Sequence, residues 1–563
     1  MSKKNKKPKK QPIVRLENGS QVYLDCTQAP EMVKDRLLNV LGDVLGYHEV
    51  RKYGYIYPVG DILGFWEQIL NEFHNYGTDI NSPTSPFTLF VSIVDDFIKD
   101  VQGQLDSKVD KGAVEFGDIP YLLVNGLEVS TTLDEEEVAG FVENVRLVKS
   151  FFGVYYQIQI KIISNVYGVV QEGVFETQLR YYTGLRQIDQ LSVRPLDEAS
   201  KASLTVRGQK YRSYAAGAHY VQYNGQLTRS SWWSARRFRS DGRVMLDVNS
   251  FSQVDNDQFN KEGSASGIES AREGRTSKKI DMEIADDDLW RCFPYLYGFS
   301  LSAKQWGRMA VSGITPIAFR EDAFEKLVLP EQDKELIKAI VQDEGNDFSD
   351  LIDGKGGGSI FLLHGPPGQG KTLTAEAIAE DLKRPLYSIS VGELGTSPDS
   401  LEDTLREILD VATVWNAVLL LDEADIFLEE RDEKDIVRNA MVGVFLRLLE
   451  YHQGVLFLTT NRVKNIDQAF YSRISIGLRF GEATVDKRAK IWTNLTSSAN
   501  LAGLDIDTLA QHDLNGRQIK NVIRLAIKLA RAKGGEVDTD LINSVISRTG
   551  SFSASVEDTS SSR

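Results

Sequence analysis

Residues 365–372 read Gly-Pro-Pro-Gly-Gln-Gly-Lys-Thr, and the residues around them are what a phosphate cradle requires. The short apolar run 360–363 leads in as a strand, and LTAEAIAEDL, starting at Leu373, leads out as a helix. Gly365, Gly368 and Gly370 let the backbone wrap closely, so that its N–H groups point inward. Pro366, Pro367 and Gln369 complete the loop. Lys371 would bring a positive charge to the β- and γ-phosphates, and Thr372 a hydroxyl to Mg²⁺. The helix N-terminus adds its partial positive charge.

A second stretch, VLLLDEAD at 418–425, is an apolar strand that ends in carboxylates. Open α/β sheets place their ligands at that end. A carboxylate beside phosphates is repelled unless a cation lies between them, which assigns Asp422 to Mg²⁺ through its water shell. Glu423 suits a general base or water-positioning group for attack on the γ-phosphate. A third strand, GVLFLTTN at 454–461, ends in Asn461, an amide suited to orient the same water or sense the γ-phosphate.

These strands call for a parallel sheet with helices packed on it, in an α/β fold. The sequence LNGRQIKNVIRLAIKLARAK puts Ile519, Val522, Ile523, Ala526, Ile527 and Ala530 on one face of an amphipathic helix. Further forward, from about 117 to 250, short aromatic and β-branched runs alternate with Gly, Asn and Asp. Tyr155 to Ile163 alternates with period two, which supports strands. Residues 86–98 fit strand or helix equally.

The chain is read as seven stretches, the front ones from composition and the last three from the motifs and the family resemblance they carry. A disordered basic tail at 1–12 precedes an α+β or mainly β partner-binding region at 13–250. A flexible linker at 251–289 and an adaptor segment at 290–348 lead into the nucleotide-binding core at 349–482. A helical lid at 483–549 and a disordered tail at 550–563 follow. Trp290 and Trp306 are expected as core anchors.

The 563 residues carry a net charge of -15, which excludes a chain that coats nucleic acid or anionic membrane through its overall charge. Two cysteines, Cys26 and Cys292, exclude a disulfide scaffold and a cysteine-built zinc site. Six lysines in the first ten residues suit a solubilising, nuclear-targeting or nucleic-acid-touching arm. No apolar run nears the roughly 20 residues of a membrane span. The expectation is an intracellular protein, cytoplasmic or nuclear.

Over residues 350–548 the motifs resemble the AAA+ ATPase family. GPPGQGKT resembles Walker A, with Gln369 where many members carry Thr or Ala. LLLDEAD resembles Walker B, and TTNR carries Asn461 onto the sensor-1 position. NIDQAFYSRISI resembles the end of the family's second region of homology, where Arg473 matches the arginine finger that reaches the neighbouring subunit's nucleotide. The family's second arginine is replaced by Ile476, so the pattern is closer to the Ser-Arg pair of clamp loaders. Arg462 and Arg479 are weaker finger candidates. Arg517 resembles the sensor-2 arginine of the lid.

The resemblance implies a P-loop AAA+ core with a helical lid, and ATP with Mg²⁺ as cofactors. It makes Lys371, Glu423, Asn461 and Arg473 catalytic. Residues 365–373, Asp422 and Arg517 would hold the nucleotide, and Thr372 and Asp422 the metal. It also implies a homo-oligomer, a hexameric ring or related assembly, that remodels a protein partner engaged through the N-terminal region. Longer stretches resemble a group of fungal AAA-type ATPases with a large uncharacterised N-terminal domain. One departure is the pore loop in 387–409, where no aromatic follows Tyr387, itself read as part of the strand, and Leu394 and Gly395 offer a weaker version. The acidic run 429–435 is a second pore-loop candidate.

Two other classes stay open on sequence. One is an ATP-gated scaffold with slow turnover. The other is a nucleic-acid remodeller, which Trp232, Trp233, Arg236 and Arg237 would serve as a stacking and charge patch and which the net charge opposes.

Overall fold

The computed structural model describes residues 14–18, 21–45, 55–58, 62, 66–75, 85–150, 153–166, 168–230, 235–255, 268–269, 283–342, 358–430, 435–450, 452–462 and 466–560. The lysine tail, Trp232 and Trp233, most of the expected linker and residues 431–434 of the acidic run lie outside them. The chain forms two compact units. The first ends at Thr315, and the second runs from Pro316 and also takes in Tyr220–Gln222 and Arg243–Met245.

The first unit is α+β. Near its start, a three-stranded sheet (Val14–Asn18, Gln21–Asp25, Ile56–Pro58) shares a core with the helices Glu31–Leu45, Trp66–Asn75 and Pro86–Val109. The ambiguous run 86–98 is therefore helix. Ser85 caps it, with Pro86 in its first turn, where a missing N–H costs nothing. Within that core Phe73 meets Phe87 with tilted rings and Phe90 edge-on.

A six-stranded sheet follows. Its strand Gly153–Val166 buries Ile158, Ile160 and Ile162, in keeping with the alternation read from sequence. IPYLLVNG, read as part of the β texture, instead begins with a helical turn at Ile119–Leu122. A five-stranded sheet and a two-stranded one also occur there. Tyr295–Ser300 and Gln305–Ala310, placed by sequence in an adaptor at 290–348, are instead strands of the five-stranded sheet. The expected linker at 251–289 is likewise built into the fold at several points. Phe251 ends up fully buried and stacked on Trp306, and Ile268–Glu269 pairs with Val174 and Phe175. Trp290 and Trp306 are both buried.

The second unit holds a sheet of five parallel strands: β1 (Ser359–His364), β2 (Leu386–Ser390), β3 (Val418–Asp422), β4 (Val455–Thr460) and β5 (Ile476–Arg479). Their order is β2-β3-β4-β1-β5. Helices α1 (Lys371–Asp381), α2 (Pro398–Val414), α3 (Asp425–Leu428), α4 (Ile436–Leu449) and α5 (Gln468–Tyr471) connect them. The three inner strands β3, β4 and β1 are buried on both faces, as their continuous apolar runs require, while the edge strands β2 and β5 are more exposed. Ser397 opens α2 with a reciprocal capping box, and Pro398 occupies its first turn.

The lid is α6 (Val485–Ser498), α7 (Ile506–Ala510), α8 (Gly516–Lys533) and α9 (Thr539–Ser560). Helix α8 buries Ile519, Val522, Ile523, Ala526 and Ala530 against Trp492 and Leu509, with Ile527 partly buried. Helix α9 runs to Ser560, past position 549 where sequence placed the end of the lid.

His452, between α4 and β4, is 5% exposed, and neither ring nitrogen has a hydrogen-bond partner. Burial pulls its pKa from the ordinary 6.5 to about 4. Above pH 6.5 the ring is neutral whether the chain is folded or not. Between pH 6.5 and 4 only the unfolded chain takes up the proton, so stability falls as pH falls, by about 1.4 kcal/mol per pH unit. His452→Leu is expected to remove that part of the pH dependence, read as urea midpoints at pH 7 and pH 5.

Candidate active site

The carboxyl ends of β1, β3 and β4 converge, and the loop after β1 is shaped by left-handed glycines. Gly365, Gly368 and Gly370 have φ of 147°, 77° and 100°. A Cβ on Gly365 would lie 2.0 Å from the Phe480 carbonyl oxygen, which is backbone and has little room to move. Gly365→Ala is therefore expected to strain the loop by about 1–3 kcal/mol. Its readouts are a lower melting temperature and weaker binding of a fluorescent ATP analogue.

Lys371, the first residue of α1, is 7% exposed. Its ammonium donates to the carbonyls of Gly365 at 2.7 Å and Pro366 at 2.8 Å, and to Asn461 Oδ1 at 2.8 Å. Burial lowers its pKa, the nearby carboxylates of Asp422, Asp425 and Glu423 oppose that shift, and the charge of Arg517 adds to it. The cation is thus held by neutral oxygens that phosphate oxygens could replace. One hydrogen bond joins the loop lysine directly to Asn461, some 90 residues later in sequence.

Thr372 Oγ1 lies 3.4 and 3.3 Å from the two carboxylate oxygens of Asp422. These two oxygen donors suit Mg²⁺, which keeps most of its waters and takes one or two protein oxygens beside substrate phosphates. Among the described residues no group of three or more His, Cys, Asp or Glu could hold a metal.

Glu423 follows β3 with φ of 57°, a left-handed conformation that costs a non-glycine residue about 1–3 kcal/mol. Its N–H donates to Thr459 Oγ1 at 3.0 Å, and Thr459 Oγ1 donates in turn to Asp422 Oδ1. Thr460 makes a matching bond to Asp425, which also accepts the Asn461 N–H at 3.2 Å. Sequence reasoning passed over Thr459, Thr460 and Asp425. The available signal was two consecutive hydroxyls at the end of an apolar strand.

The remaining candidates separate by position. The lid reaches the loop: a Cβ on Gly368 would lie 2.7 Å from the side chain of Asn515, which caps α8. Arg517, in the first turn of α8, is exposed, and its charge acts on Lys371. Leu373 is exposed on α1. Arg473 sits after α5, donating to the Ala469 carbonyl at 2.9 Å and to Glu450 at 3.3 Å. Arg462 pairs with Glu429 at 3.3 Å, and Arg479 is exposed at the end of β5. Burial first, then the charges of Arg479 and Lys371, lower the pKa of His364, beside the loop. Leu394 is fully buried, so it cannot serve as an exposed pore-loop side chain. Arg237 of the front patch is paired with Asp134 at 2.8 Å.

Residues 361–482 match the ATPase family associated with various cellular activities (AAA), so the chain carries an AAA domain there. The CdcH protein of Halobacterium salinarum is 30% identical over 196 residues, 32% of this chain and 26% of that protein. The mitochondrial sorting homolog of Caenorhabditis elegans is 28% identical over 197 residues, 33% of this chain and 57% of that protein. The probable mitochondrial chaperone BCS1-A of Dictyostelium discoideum is 24% identical over 253 residues, 42% of this chain and 57% of that protein. The chain thus spans between about a quarter and just over half of the length of these relatives. They come from an archaeon, a nematode and a slime mould, so the likeness is not specific to fungi. Among the described residues no helix is long and apolar enough to cross a membrane.

Proposed function

We propose that the second unit hydrolyses ATP with Mg²⁺ in a homo-oligomer, a hexameric ring or related assembly, and that the cycle remodels a protein partner engaged by the first unit. The observation that carries the hydrolysis is the meeting of Lys371, Thr372, Asp422 and Asn461 at adjoining strand ends, with Glu423 immediately after Asp422. The loop N–H groups, Lys371 and Arg517 would take the phosphates. Bound Mg²⁺, held at Thr372 and Asp422, would neutralise phosphate charge. Glu423 would accept the proton of the attacking water, and Asn461 would orient that water.

A protein partner suits the acidic chain, with its net charge of -15, better than nucleic acid does. The burial of Leu394 and the lack of a pore aromatic favour remodelling without threading, or the related reading of an ATP-gated scaffold. The test is phosphate release from Mg-ATP by the whole chain across a range of protein concentrations. No turnover at any concentration overturns the ATPase. Turnover that does not rise with assembly overturns the oligomeric part.

A further inference from the structure

We infer that Thr459 is a positioning residue for hydrolysis, its hydroxyl aligning both Asp422 and Glu423; this rests on the ATPase reading above. Thr459 is 1% exposed, near the carboxyl end of β4 and beside β3. Its single hydroxyl proton goes to Asp422 Oδ1, and its oxygen accepts the N–H of Glu423 at 3.0 Å. Its backbone carbonyl accepts the next N–H, that of Ala424, at 2.9 Å. The two N–H groups that follow β3 are therefore both tied to one residue of β4.

This matters because Glu423 has φ of 57°, a backbone setting that nothing in its own side chain favours. The setting decides where the Glu423 carboxylate points, and the bonds to Thr459 hold it there. The same hydroxyl occupies one oxygen of Asp422, which orients the carboxylate beside Thr372. A hydroxyl with one proton and lone pairs can serve as donor to the acid and acceptor from the amide at once. Valine has the same shape and neither capacity.

The experiment compares the parent chain with Thr459→Val and Thr459→Ser, measuring kcat, affinity for a fluorescent ATP analogue, and the Mg²⁺ concentration at half-maximal rate. Thr459→Val is expected to lose about a hundredfold in kcat, the usual scale for misplacing a reacting group. It should keep nucleotide affinity and need more Mg²⁺, while Thr459→Ser recovers most of the rate. A Thr459→Val chain with parental kcat and Mg²⁺ dependence overturns the inference. So does a Thr459→Ser chain as slow as Thr459→Val, and a folded Thr459→Ser chain below one-tenth of the parental rate does so even if Thr459→Val fails to fold. Absence of turnover in the parent chain instead overturns the underlying ATPase assignment, so the two failures are distinct.

Discussion

The Glu423→Gln chain is expected to bind ATP as the parent chain does and to turn it over about 10²–10⁴ times more slowly, the range a general base contributes. Glutamine fills the same volume and cannot accept a proton at neutral pH, so the change isolates that one role. Binding should survive because the groups proposed to take the phosphates are Lys371, the loop amides and the lid arginine Arg517. Lys371 makes its three hydrogen bonds without Glu423. The left-handed backbone at 423 is held through its N–H to Thr459, which the substitution does not touch. The measurements are phosphate release and retention of labelled ATP after gel filtration. Unchanged turnover would remove Glu423 from the chemistry. The trapped chain is also the material for capturing a protein partner of the first unit.

Arg473→Ala is expected to lower turnover by about 10³-fold, the lower end of what an arginine supplied in trans contributes. An equimolar mixture with Glu423→Gln should recover activity. In such a mixture an intact Glu423 on the Arg473→Ala chain meets an intact Arg473 on its neighbour. No recovery in verified mixed oligomers would overturn the trans role. Within one chain Arg473 is engaged by Glu450 and the Ala469 carbonyl, and its side chain is 26% exposed. A partly exposed pair of this kind is worth only about 0–1 kcal/mol, so releasing it toward a neighbouring phosphate costs little.

Legibility in the sequence followed the range over which each feature is determined. The phosphate loop was readable because eight contiguous residues carry it and each of its three glycines has a positive φ. The buried face of α8 was readable because helical periodicity is local too. The Thr459 bonds were not, since the hydroxyl and its partners lie 36 and 37 residues apart and meet only when β4 pairs with β3. Apolar runs such as 86–98 carried no decisive period, and the capped helix shared with Phe73 settled them.

By itself the sequence determined which residue types could bind phosphate and metal, in what order, and that an α/β core with a lid must hold them. Tertiary structure decided which hydroxyl aligns the two acids, that Leu394 is core rather than loop, and that the strands at 295–310 close a sheet of the first unit. The reason is physical. Glycine turns and helical faces are set by neighbours in sequence, whereas hydrogen-bond partners, strand neighbours and the backbone setting at Glu423 are set by whichever distant segment packs alongside.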